Sequence, residues 1–152
     1  MTSDELSIDE FIVHRPPMRL LDRIVSVSES DAVAETIVRS DNPFFERGRG
    51  LPAYIGLEMM AQAIALIDGA KRRSNGLPAN IGFLLGCRRY VSRRERFAEH
   101  EKLTVSASMV FGDGAMFAFD CRLDDDQGQV ATANLKVYAP ADPRAFLDGA
   151  VR

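Results

Sequence analysis

One segment limits the possible folds more than any other: Leu51 to Arg73, LPAYIGLEMMAQAIALIDGAKRR. From Ala53 to Ile67 it is apolar on nearly every side of a helix, and a helix greasy all round must be enclosed rather than laid on a surface. The pattern predicts a helix over about residues 53–73, closed by the stop signals Asn75, Gly76 and Pro78. No second stretch carries that periodicity, so the cover has to come from strands.

Strand patterns lie on both sides of it. RLLDRIVSVS (Arg19 to Ser28) and AVAETIVRS (Ala32 to Ser40) are rich in β-branched residues, and the intervening Glu29, Ser30 and Asp31 suit a hairpin. After the helix come IGFLLGCRRYVS, EKLTVSASMVF, GAMFAFDCRLD and GQVATANLKVYAP. The second of these sets Leu103, Val105, Ala107 and Met109 against Thr104, Ser106 and Ser108, a period of two. FGDGA and DDDQGQ supply tight turns. Strands joined by hairpins pair antiparallel, and such a sheet buries a lone apolar helix only by wrapping around it. The expectation is an α+β chain of the hot-dog type, one domain over residues 1–152, with a short irregular segment over 1–18. The paired prolines of HRPPM stop any helix there. A six-stranded sheet of this kind keeps open edges and an outer face, which predicts a homodimer or a heterodimer with a related subunit.

Composition narrows the partners. A net charge of −3 gives no phosphate-binding excess, so nucleic acid is not expected. MTSDELSIDE is acidic and polar, unlike a secretory leader, and no long charge-free apolar run predicts a membrane span. Cys87 and Cys121 lack metal-ligand spacing, so no structural metal is expected and a cytoplasmic chain with reduced thiols is.

HRPPMRLLDRIVSV (His14 to Val27), NPFF (Asn42 to Phe45) and LEMMAQ (Leu57 to Gln62) occur in the order found in FabA/FabZ-like dehydratases, and the chain resembles that family from about His14 to Leu147. PAYIGLEMMAQA, IGFLLGCRRY and DPRAFL are most similar to a branch of predicted 3-hydroxyacyl-carrier-protein dehydratases, some of which accompany aryl-polyene pigment synthesis. The resemblance implies elimination of water from a 3-hydroxyacyl thioester, with the acyl group on the phosphopantetheine arm of acyl carrier protein and no further cofactor. One departure is sharp. The family's Gly-His-Phe-Pro-Gly segment is replaced here by ERGRGLPAYIG, and the chain's two histidines, His14 and His100, both lie elsewhere. The helix acid carries over to Glu58; the loop histidine carries over to nothing. Arg47 and Arg49 stand in that neighbourhood, and a guanidinium is no general base near neutral pH.

Dehydration needs a base for the C2 proton, an acid for the leaving hydroxyl, and donors for charge on the thioester carbonyl. Glu58 is the candidate acid, its pKa expected to rise through desolvation by Leu57, Met59 and Met60. Its alternative role is to satisfy free amides at the helix start. Gln62, one turn on, can orient the carboxyl or the substrate. Gly56 lets backbone approach a thioester or packs tightly against the sheet; Tyr54 is a further substrate contact. His14 is a substitute base if the N-terminal segment folds over the site, or else braces a loop against Asp22 or a carbonyl. His100, between Glu99 and Glu101, reads as a surface turn residue. Phe83 to Gly86 read as a buried strand beside the helix, with Phe83 and Gly86 lining an acyl tunnel by resemblance. Arg88, Arg89 and Arg93, within a basic cluster that also holds Lys71, Arg72, Arg73, Arg94 and Arg96, are candidates to dock an acidic carrier protein, or a solvated rim. Two rival functions remain: a non-catalytic subunit pairing with a His-bearing partner, and an acyl-thioester hydrolase.

Overall fold

A computed structural model describes residues 6–80, 83–140 and 148–149, with the side chains of 83–85 left aside. In chain order the strands are β1 (Arg23–Val27), β2 (Asp31–Ile37), β3 (Leu51–Pro52), β4 (Phe83–Ser92), β5 (Arg96–Phe97), β6 (Lys102–Asp113), β7 (Met116–Asp125) and β8 (Gly128–Tyr138). A 3₁₀ turn, Ala53–Ile55, runs into helix α1, Gly56–Ser74. The expected helix start at 53 is therefore this tighter turn. The six long strands form one antiparallel sheet in the order β1-β2-β6-β7-β8-β4. The hot-dog architecture stands.

The inward side of the sheet is the apolar half of each alternation. Leu103, Val105 and Ala107 of β6, Phe119, Cys121 and Leu123 of β7, and Ala131, Ala133 and Leu135 of β8 are all buried. Against them pack Met59, Met60, Ala63, Leu66 and Ile67 of α1. The helix ends where Leu77 N–H bonds the Arg72 carbonyl and Gly76 N–H bonds that of Arg73, with Gly76 at φ 69°. That closure needs a left-handed residue, which glycine adopts freely. Among the described residues no helix is long and apolar enough to cross a membrane.

Three features depart from the expectations. First, ERGRGLP ends in β3, which pairs with β5 as a small two-stranded sheet, Leu51 opposite Phe97. Second, residues 8–20 are not loose: Ile8, Phe11 and Ile12 are buried. Phe11 lies against Gly69 so closely that a Cβ there would stand 2.1 Å from the Phe11 carbonyl oxygen. Third, β4 is an edge strand, bonded among the described residues to β8 alone, with Gly86 and Cys87 exposed rather than buried. Cys121 is buried, which pushes its thiol up to about 12. A soluble alkylating reagent is accordingly expected to label Cys87 in the folded protein and to add Cys121 only after unfolding, read by intact mass; equal native labelling contradicts this burial.

Candidate active site

Spacing on α1 places Glu58, Ala61, Ala65 and Asp68 on one face, at steps of three and four. That face floors a cavity of about 380 Å³ that His14 and Asn80 also line, within the range of small-molecule sites. Two alanines leave room for a chain between two carboxylates. The remaining walls, Val13, Ile64, Val137 and Ala139, are aliphatic.

His14 reaches this cavity because Gln62 anchors the segment that carries it. Gln62 is fully buried. Its Oε1 accepts from Leu20 N–H at 2.8 Å, and its Nε2 donates to the Met18 carbonyl at 2.8 Å and to Glu58 Oε1 at 3.1 Å. Thr36 Oγ1 donates to the Leu20 carbonyl at 2.6 Å, fixing the same segment to β2. The result sets His14 Nε2 3.7 Å from Glu58 Oε1. Among the described residues, His14 Nδ1 is buried without a hydrogen-bond partner. Asp22 is occupied elsewhere, accepting from Ile37 N–H at 2.6 Å and pairing with Arg39.

The Glu58 carboxyl accepts a hydrogen bond from the buried Gln62 Nε2, and no backbone amide of the helix start donates to it among the described residues. The expected desolvation is not found. Met59 and Met60 point into the core, while the Glu58 side chain is 41% exposed at the cavity.

The other candidates scatter. Gly56 is buried, its N–H bonded to the Ala53 carbonyl and its missing side chain facing the Tyr90 hydroxyl at 2.5 Å, so its amide is not free for an oxyanion. Tyr90 in turn donates to the Ala53 carbonyl. Tyr54 is exposed, one turn before Glu58. Gly86 faces open space, and the Phe83 side chain lies outside the described residues. Half of the basic cluster is paired with carboxylates. Arg93 pairs with Asp125 at 3.2 Å, Arg94 with Glu101 and Asp125, Arg96 with Glu46, and Arg73 with Glu10. Arg88 and Arg89 are exposed, beside Ser106, Thr132 and Asn134 on the outer face of the sheet, away from the cavity. His100 is exposed in a turn, as expected. Asp68 was not anticipated; the stripe Glu58–Ala61–Ala65–Asp68 was the signal in the sequence that marks it. Among the described residues no group of three or more His, Cys, Asp or Glu is arranged to hold a metal ion.

Residues 6–148 match the family model of ApeP-like proteins, described as ApeP dehydratase. The chain is 26% identical over 137 residues to the 3-hydroxyacyl-[acyl-carrier-protein] dehydratase FabZ of Streptococcus sanguinis (strain SK36), covering 88% of this chain and 94% of the relative. It is 26% identical over 143 residues to FabZ of Streptococcus thermophilus, covering 91% and 98%. Among solved structures, the dehydratase heterocomplex ApeI:P from Xenorhabdus doucetiae superposes with a TM-score of 0.88 at 24% identity, over 97% of this chain and 99% of that one. A thioesterase-type protein with coenzyme A from Streptococcus pneumoniae shares the fold more loosely, with a TM-score of 0.59 at 16% identity and coverage of 77% and 84%.

Proposed function

The chain belongs to the ApeP-like dehydratase family, and on that premise we propose that it eliminates water from 3-hydroxyacyl thioesters presented by an acyl carrier protein. The observation that carries this reading is His14 facing Glu58 across the mouth of an apolar cavity. His14 takes the role that the absent loop histidine leaves open.

The reaction moves two protons in opposite directions. His14 Nε2 accepts the C2 proton, the C2–H electron pair forms the C2–C3 double bond, and Glu58 gives its proton to the departing C3 hydroxyl, which leaves as water. The pair starts and ends with one proton between its members, so proton transfer between them or through water resets the site. Gln62 holds the Glu58 carboxyl toward the cavity. The elimination is redox-neutral, and the proposal requires no cofactor beyond the carrier's phosphopantetheine arm.

For partners, we propose that the chain works as one subunit of a hot-dog pair, either with a second copy or with a related chain. The open edges of β1 and β4 support this. Arg88 and Arg89 remain the candidates for attracting an acidic carrier, whereas Arg93 is committed to Asp125.

Incubation with a 3-hydroxyacyl-carrier-protein substrate, alone and with any co-purifying hot-dog subunit, tests the reading by mass spectrometry. Loss of one water to give the 2-enoyl thioester is expected, and His14→Asn is expected to lower kcat by about 100-fold or more. Release of free thiol in place of enoyl product, or a His14→Asn variant at full rate, overturns it.

A further inference from the structure

Asp68 has no part in the elimination. It lies ten residues beyond Glu58, about 15 Å along the helix axis at 1.5 Å per residue, and it lines the same cavity. It also borders a smaller apolar recess that continues toward Phe117 and Phe119 and shares Ile64, Asp68, Val137 and Ala139 with the first. An acyl chain seated at Glu58 and laid over Ala61 and Ala65 therefore meets a carboxylate at its far end. Burial holds the Asp68 carboxyl above its usual range, and the charges of Arg72 and Lys71 offset that only in part. Neither cation forms a salt bridge with Asp68 among the described residues: Lys71 Nζ, at the same recess, sits 4.6 Å from the Phe117 ring centre, and Arg72 Nε donates to the Pro78 carbonyl at 2.7 Å.

We propose that Asp68 is a specificity-determining residue, accepting a hydrogen bond from a hydroxyl on the distal end of the acyl chain. This deepens the dehydratase reading and rests on it. A methyl-ended chain strips water from the carboxylate and returns nothing, whereas a hydroxyl-ended chain replaces the lost partner. A hydrogen bond to a charged group corresponds to a preference of about tenfold or more. The span of about 15 Å sets the length. At roughly 3.3–3.6 Å per three extended bonds, it needs on the order of a dozen chain bonds beyond the reacting carbons.

The test compares two 3-hydroxyacyl thioesters of that length, one ending in CH₂OH and one in CH₃. The wild-type protein is expected to favour the hydroxyl-ended substrate by about tenfold or more in kcat/KM, and to show no preference between ends on chains too short to reach Asp68. Asp68→Leu is expected to reverse the preference. Asp68→Asn, which removes a charge penalised by burial, is expected to melt no lower than wild type at neutral pH and to keep a weakened preference. Calorimetric binding of the matching saturated thioesters, which lack the 3-hydroxyl, reads the same discrimination without turnover. Equal affinities for the two ends, or a preference unchanged in Asp68→Leu, overturns the proposal. Failure to dehydrate either substrate with the binding preference intact overturns the dehydratase reading and leaves the Asp68 assignment standing.

Discussion

Glu58→Gln is expected to lower kcat on a 3-hydroxyacyl thioester by about 10²–10⁴-fold, the contribution typical of a positioned general acid or base. Glutamine has nearly the same shape, and Gln62 Nε2 retains an oxygen to donate to. What disappears is the ability to hold and release a proton beside His14. Because the side chain is 41% exposed and makes no contact the core depends on, the melting temperature is expected to stay within about 2 °C of wild type. Glu58→Asp retains the proton but withdraws it by one methylene, and an intermediate rate is expected. A Glu58→Gln protein that dehydrates at the wild-type rate removes Glu58 from the chemistry. A loss of rate accompanied by a fallen melting temperature shows instead that the residue is structural.

Gly69→Ala is expected to destabilise the protein although it exchanges the second-worst helix former for the best. In an exposed helix that change gains about 1 kcal/mol. Here the new Cβ stands 2.1 Å from the Phe11 carbonyl oxygen, 2.8 Å from its carbon and 2.9 Å from its Cα. All three are backbone atoms, so no side-chain rotation relieves the clash and the segment must move away from the helix. Overpacking of this sort costs about 1–3 kcal/mol or more, and the net effect is expected to be a melting temperature lower by about 3–8 °C. Because the displaced segment continues to His14, the expected loss extends to turnover, by about tenfold or more. Gly86→Ala is the control: nothing lies within 4 Å of the added carbon, and little change is expected. A Gly69→Ala protein that melts higher than wild type shows that Phe11 is not held against the helix.

The architecture was legible because two periods dominate the sequence. Leu103, Val105 and Ala107 alternate with Thr104, Ser106 and Ser108, and the structure buries the first set. The helix around Met59, Met60 and Ala63 is apolar all round, which leaves enclosure as its only stable surrounding. Gln62 could be placed on the face of Glu58 by its spacing alone. The position of His14 could not. It depends on Gln62 catching Met18 and Leu20, more than forty residues earlier in the chain, and no local pattern encodes a contact of that separation. The pairing within the basic cluster was hidden for a related reason: Asp125 and Glu46 lie more than thirty residues from Arg93, Arg94 and Arg96, and only Glu101 is near its partner Arg94 in the chain, so most of these ion pairs show only in three dimensions. Asp68 was concealed by its neighbours, since a carboxylate three and four residues before Lys71 and Arg72 looks like an ordinary solvated pair.

The junction at Gln62 has a consequence for how the protein tolerates its own chemistry. Every bond that ties the His14 segment to the helix at this point runs through a neutral amide. An amide neither gains nor loses a proton between pH extremes that proteins survive. Its Nε2–H can face Glu58 Oε1 whether that carboxyl is charged or protonated. The scaffold is thus electrically silent while the groups it positions exchange a proton, and each turnover leaves the frame unstressed for the next.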